Sequence, residues 1–182
     1  MAPTGGDIVE DPVFGYHLRF TPRGEVLRIE VWVRPQGGVN VAHFHPATEE
    51  RFMVEEGEVT FMADGDKIVA TPGDDPVVVR PGIRHTFRNT GGTEAYIVTE
   101  AEGGKLDELQ GFLEAAAALS REGKMSGFGI PKPGGILRAV EFAERYRDTV
   151  VVTSKTFPPP ALQPALLGPL ARLERNRRER AA

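Results

Sequence analysis

The sequence lacks cysteine altogether, since none of its 182 residues carries a thiol. A disulfide framework is therefore excluded, and any bound metal ion must be held by nitrogen and oxygen ligands. Histidine is scarce as well: the chain has four, and three of them fall in two short stretches. Their positions are for this reason the first guide to function.

Long apolar runs and an excess of positive charge are also missing. No stretch approaches the length of a membrane-spanning helix, and the acidic N-terminus, Met1–Glu10, has neither the basic start nor the apolar core of a signal peptide. The net charge of −4 argues against a nucleic-acid-binding surface over the whole molecule. We therefore expect a cytoplasmic protein with no membrane span and no nucleic-acid partner.

Glycine and proline are abundant, at 21 and 15 residues, which is typical of chains with many turns and short strands. Alternating apolar and polar residues predict a strand over Gly15–Thr21 and the clearest strand over Val26–Arg34. Further short strands follow up to Glu100 at a spacing of about 8–12 residues, as in all-β sandwiches and barrels. Trp32 lies on the polar side of its strand, which suggests a second packing surface and a homodimer.

The pattern changes after Gly103. Apolar residues at helical spacing predict helices over Lys105–Glu122 and Gly135–Arg147. A proline-rich segment then precedes a short leucine-rich helix interrupted by Pro169, and the chain ends in an arginine-rich tail, whose charge suits a helix C-terminus. We divide the chain into three parts: a lead-in over residues 1–14, a β-barrel over residues 15–102 and a helical extension over residues 103–182.

Two stretches of the predicted barrel carry metal-binding side chains. His43 and His45 are two residues apart, so in a strand they point to the same face. Glu50 shares a face with the apolar residues of its own strand, which makes it, rather than Glu49, the inward carboxylate. The same parity turns His85 inward. Together these four residues predict a site for one divalent metal ion inside the barrel.

These stretches resemble the two sequence motifs of the cupin superfamily. Gly38–Gly57 is similar to the first motif, which has a glycine, a His-x-His pair, a glutamate and, after six residues, a second glycine. Gly73–Asn89 is similar to the second motif, and its half over Pro81–Asn89 fits closely. Arg80 stands where the family often has proline, and the loop after Gly73 is slightly long.

The resemblance covers roughly residues 15–102, little more than half of the chain. It implies a double-stranded β-helix, which is a jelly-roll fold, and it implies that His43, His45, Glu50 and His85 are the metal ligands. Some cupins keep the barrel and bind no catalytic metal.

Three functions remain open at this stage. The first is an enzyme with a metal centre of three histidines and one glutamate, either a dioxygenase on iron or a Lewis-acid isomerase, cyclase or hydrolase on zinc, nickel or manganese. The second is a non-catalytic sensor or binding protein for a metal or small molecule, and the third is partner docking through the C-terminal segment. Four aromatic residues are candidates for lining a ligand pocket, although most of them are expected in the core: Phe52, Phe61, Phe87 and Tyr96.

Overall fold

Two antiparallel sheets followed by helices make up the fold in this computed structural model, which describes residues 8–126, 130–153 and 159–180. The strands are β1 (Val9–Asp11), β2 (Tyr16–Arg23), β3 (Val26–Val33), β4 (His43–Phe44), β5 (Glu49–Glu56), β6 (Val59–Ala63), β7 (Asp66–Ala70), β8 (Val77–Val79), β9 (His85–Asn89), β10 (Ala95–Glu102) and β11 (Val151–Val152). The helices within the described residues are α1 (Leu106–Arg121), α2 (Ile136–Arg145) and α3 (Gln163–Glu179). The predicted all-β core followed by a helical part is confirmed.

The core lies between the two sheets. One sheet has the order β1-β2-β3-β10-β5-β8, and the facing sheet has the order β11-β4-β9-β6-β7. Because side chains alternate along a strand, each sheet turns one apolar row inward, and members such as Ile29, Phe61 and Ile97 are almost fully buried. None of the described helices is long and apolar enough to cross a membrane.

Two glycines of the first motif are required by the close packing of the sheets. Gly57 has a φ of +83° and carries the chain from β5 in one sheet to β6 in the other. A Cβ atom on Gly38, whose φ is +133°, would lie 2.4 Å from the carbonyl oxygen of Phe87. No other residue type fits these conformations without strain.

Within the N-terminal lead-in, Val9–Asp11 form β1, which pairs with β2 along the edge of the larger sheet. Hydrogen bonds to the Asp11 side chain hold β1 in this position. Its carboxylate accepts hydrogen bonds from the main-chain N–H groups of Val13 and Phe14 and from the hydroxyl of Ser120 in α1. The buried carboxylate therefore ties the first strand to the first helix.

The C-terminal part adds a strand to the smaller sheet and departs from its prediction in helix α3. The chain after α2 forms β11, which pairs with β4 in the smaller sheet. Helix α3 also continues through Pro169, where a break was expected. It can do so because Pro169 is exposed, and because the neighbouring Leu167 and Ala171 anchor the helix on Val140 of α2.

Candidate metal centre

The structure brings the four predicted metal-binding side chains together between the two sheets. His43 on β4 lies directly opposite His85 on β9, and His45 follows two residues later. Nitrogen atoms of these three histidines lie within 4.8 Å of one another. Glu50 approaches from β5 in the facing sheet, with its Oε2 atom 3.2 Å from Nε2 of His45 and 3.1 Å from Nε2 of His85.

Main-chain carbonyl groups hold the three imidazole rings. Each Nδ1 atom lies within hydrogen-bonding distance of one carbonyl oxygen: His43 of Val41 at 2.9 Å, His45 of Thr149 at 3.0 Å and His85 of Ile83 at 3.1 Å. Because a carbonyl oxygen only accepts, each Nδ1 carries a proton, and each Nε2 keeps its lone pair when the ring is neutral. Carbonyl groups orient metal-binding histidines in this way in many proteins.

The centre of the cluster contains acceptors that face each other. Among the described residues, Nε2 of His45 and Oε2 of Glu50 are buried without a geometrically sound hydrogen bond, although only 3.2 Å separates them. A buried polar group without a partner costs about 1–3 kcal/mol. A divalent cation would satisfy these lone pairs, so the donor set fits a metal ion.

Burial and mutual charge set the protonation of the cluster. Burial, aided by repulsion from the other two histidines, lowers the pKa of His43 to about 3, so this ring is neutral and able to bind a metal at neutral pH. Burial opposes the ionisation of Glu50, but the electrostatic interaction of its carboxylate with His45 and His85 outweighs it and holds the carboxyl pKa well below its usual range. Burial also lowers the pKa of His45, but the Glu50 carboxylate outweighs it and raises that pKa.

The C-terminal part of the chain reaches the cluster through Thr149, whose carbonyl binds His45 across 104 residues of sequence. The Thr149 side chain is buried, and its hydroxyl donates a hydrogen bond of 2.9 Å to Oε2 of Glu108 in α1. Sequence reasoning missed this contact. A main-chain carbonyl has no residue-type signature, so no pattern in the sequence marks it.

A cavity of about 400 Å³ adjoins the cluster, and two of the four aromatic candidates line it. They are Phe52 and Phe87, which flank His85 along the inner faces of their strands. Phe61 lies outside the lining and packs behind them, with its ring centre 5.2 Å from that of Phe52. Its place is in the core between the sheets.

Tyr96 corrects the sequence expectation, because it lies on the outer face of the larger sheet. Its neighbour Ile97 takes the inward position on β10, and strand alternation therefore turns Tyr96 outward. There its ring stacks on Trp32, with ring centres 5.1 Å apart, and its hydroxyl donates a hydrogen bond to Glu30. The guanidinium group of Arg19 covers the other ring of this pair. Trp32 is thus buried within its own chain.

The three helices supply much of the remaining cavity wall. Helix α1 contributes Leu109 and Phe112, α2 contributes Val140 and Phe142, and α3 contributes Leu167. Helical periodicity identified apolar faces in this region, but periodicity does not tell what a face covers. The structure shows that these faces close one side of the cavity beside the histidines.

A family profile supports the cupin assignment, and several solved structures are similar to the chain. The sequence profile of the cupin domain family matches residues 30–99, whereas no curated protein matches the sequence significantly. The solved structures it resembles include a sugar phosphate isomerase of the cupin superfamily from Silicibacter pomeroyi, with 20% identity over 50% of this chain and 61% of that one and a TM-score of 0.46. An RmlC-like cupin from Shewanella frigidimarina has 23% identity over 55% of this chain and 86% of that one, with a TM-score of 0.46.

An oxalate oxidase is similar at 26% identity over 50% of this chain and 52% of that one, with a TM-score of 0.43. This chain therefore spans less than two thirds of the length of the isomerase and of the oxidase. The matched residues include His43, His45, Glu50 and His85. Residues 30–99 form a cupin domain with a clustered histidine triad, and three helices follow it.

Proposed function

We propose that this protein is a metal-dependent enzyme that acts on a small molecule in the cavity beside His43, His45, Glu50 and His85. One divalent ion is the proposed cofactor, and iron, manganese, nickel and zinc all suit imidazole and carboxylate ligands. The observation that carries the proposal is that two buried acceptor atoms, Nε2 of His45 and Oε2 of Glu50, face each other without a hydrogen-bond partner among the described residues. An arrangement of this kind is costly unless it has a binding role.

Each group of residues has a defined part in this proposal. The three histidines and Glu50 would hold the ion, which supplies Lewis acidity or, for iron, a site for dioxygen chemistry. The carbonyl groups behind the histidines fix the rings so that the nitrogen lone pairs converge. Phe52 and Phe87 keep water from the side of the cavity that they line.

The alternative is a non-catalytic role in which the same site only binds a metal or a small molecule. The cavity favours this alternative in one respect, because Glu50 is its sole lining carboxylate among the described residues and already faces two histidines. An enzyme with this site would therefore have to move protons through the metal-bound species or the substrate. The predicted homodimer and cytoplasmic location remain proposals, and light scattering of the purified protein tests the first.

Elemental analysis of protein purified without added metal tests the central claim. We expect a near-stoichiometric divalent metal in the wild type and its loss in a His43→Ala/His85→Ala variant. His17→Ala is the matched control, because His17 lies on β2 and outside the cluster. Equal trace metal in the wild type and the double variant would refute a metal centre.

Oxygen consumption by the metal-loaded protein separates the two reaction types. A panel of phenols, diketones and thiols should give uptake only if the site supports oxygenase chemistry. Turnover of a carbonyl substrate without oxygen uptake would favour the Lewis-acid reactions. Stoichiometric metal without turnover of any substrate would favour the binding role.

A further inference from the structure

We propose that the ligand of this site approaches the metal with one group and that the rest of the ligand is uncharged and apolar. This apolar part lies against the C-terminal helices. This inference rests on the proposed function, because it assigns the substrate class of the same site. It goes beyond the metal centre, because it is argued from the wall of the cavity that the helices supply.

Most of the polar side chains that line the cavity belong to the metal-binding cluster. Elsewhere, the wall is formed mainly by aliphatic and aromatic side chains from both sheets and all three helices. Representative members are Leu18, Ile29, Val31, Leu109, Leu113 and Val140. An apolar wall gains free energy when a ligand of matching character displaces water from it.

Charged partners for a ligand are missing from the described part of this wall. Among the described lining residues, none is a lysine, an arginine or an aspartate, and the acidic residue is Glu50 within the cluster. Tyr16 also lines the cavity, and burial beside Asp11 raises its pKa well above 10, so its hydroxyl stays neutral. A charged group away from the metal would therefore be desolvated without a counterion, which is strongly unfavourable.

The polar groups on the helical side offer little for recognition of a sugar or phosphate. Gln163 lines the cavity from α3, but its side-chain N–H donates a 2.9 Å hydrogen bond to the carbonyl of Val152. Thr99, on β10, is a small neutral group. A volume of about 400 Å³ falls within the range of about 300–1,000 Å³ seen for small-molecule sites, so a bicyclic ring system is of suitable size.

A matched pair of fluorescent probes tests the inference on the metal-loaded, full-length protein. The probes are 2-naphthol and 6-hydroxynaphthalene-2-sulfonate, which share the ring system and the hydroxyl group but differ in charge at the far end. We expect 2-naphthol to bind at least tenfold more tightly, as measured by the change in naphthol fluorescence. Equal affinities, tighter binding of the sulfonate or no binding of 2-naphthol would overturn the proposal.

Variants locate the binding on the helical wall. Leu113→Arg places a cation on the α1 face of the cavity, and we expect it to lower 2-naphthol affinity at least tenfold and to reduce or reverse the preference over the sulfonate. Leu173→Arg adds the same charge to an exposed position of α3 and should leave both affinities unchanged. Ala116→Leu adds volume without charge and provides a second test if the arginine variant fails to fold, because it should weaken binding of 2-naphthol. An unchanged affinity in Ala116→Leu would contradict binding at this wall.

Metal content measured on the same samples separates this inference from the proposed function. Stoichiometric metal together with no preference for 2-naphthol overturns the inference alone. A preference for 2-naphthol in a protein whose metal content does not depend on His43 and His85 overturns the proposed metal enzyme and leaves the apolar ligand class supported.

Discussion

Glu50→Gln should stabilise the metal-free protein at high pH while weakening its affinity for metal. The carboxylate faces Nε2 of His45 at 3.2 Å and Nε2 of His85 at 3.1 Å, and both nitrogens carry lone pairs when the rings are neutral. Glutamine has nearly the same shape, but its amide N–H groups donate to such lone pairs. The substitution therefore converts facing acceptors into hydrogen-bonded pairs.

Whether Glu50→Gln stabilises or destabilises the metal-free protein depends on the protonation of His45. Its pKa is raised by Glu50, so the stability contributed by the charged pair is fully present below the unfolded value of 6.5 and is lost as pH rises through the raised folded value. Glu50, with a lowered pKa, contributes above its unfolded value of 4.5 and loses its contribution as pH falls through the lowered folded value. The wild-type pair is consequently intact near pH 6, and it is disrupted once the pH exceeds the raised folded pKa of His45.

The expected magnitude follows from the unpaired acceptors. At a pH above the raised folded pKa of His45, the wild type bears a penalty of about 1–3 kcal/mol that the glutamine variant avoids. For a chain of 182 residues, each kcal/mol corresponds to about 2–4 °C in the melting temperature. We therefore expect metal-free Glu50→Gln to melt several degrees above the wild type at such a pH, and this advantage to disappear or reverse near pH 6.

Thermal unfolding in the presence of a chelator at both pH values measures this difference, and zinc titration of the same samples measures affinity. Glu49→Gln is the matched control, because Glu49 loses the same charge one residue away, where it pairs with Arg51 near the surface. The reasoning is refuted if the wild type and Glu50→Gln differ by the same amount at both pH values. It is refuted equally if Glu50→Gln binds zinc as tightly as the wild type.

Three further changes probe the surroundings of the site. Leu109→Ala should lower the free energy of unfolding in urea by about 2–5 kcal/mol, because Leu109 is 1% exposed. Leu173→Ala, at a 59% exposed position, should change it by less than about 0.5 kcal/mol. Equal effects of the two substitutions would contradict this account. Thr149→Val removes the hydroxyl that donates a hydrogen bond to Glu108, and we expect the zinc affinity measured by calorimetric titration to fall about tenfold or more. An unchanged affinity would mean that the Thr149 carbonyl holds His45 without help from this hydroxyl. Asn89→Ala should lower the free energy of unfolding in urea by at least about 2 kcal/mol, because it removes the three hydrogen bonds of a fully buried side-chain amide. A change near zero would contradict this expectation.

Strand parity accounts for most of what the sequence predicted correctly about the barrel. Side chains alternate strictly along a strand, so the apolar neighbours of Glu50 and His85 indicated which way those two residues point. The same rule, applied to β10 from its inward Ile97, turns Tyr96 to the outer face. Aromatic character alone favoured Tyr96 as a pocket residue, and this shows that residue type is a weaker guide than position in the strand.

Contacts between distant parts of the chain were beyond the reach of such local rules. Asp11 looked like part of a loose lead-in, because its partner Ser120 lies 109 residues away in α1. The course of α3 through Pro169 depends likewise on packing against α2, which compensates for the lost hydrogen bond. In each case the deciding interaction involves a segment that no local pattern identifies.

The metal-binding cluster combines both kinds of information. The spacing of His43 and His45 and their pairing with His85 are properties of neighbouring strands, and they determine which rings can meet. The orientation of the His45 ring depends in addition on the carbonyl of Thr149, which lies beyond two helices of the C-terminal part. Because the same helices also close the apolar side of the cavity, the segment outside the cupin domain contributes both to holding a histidine and to shaping the ligand site. Changes in the parts of this segment that line the cavity or hold Thr149 should therefore affect metal affinity and ligand preference together, although the described residues of the segment supply no side-chain ligand to the cluster.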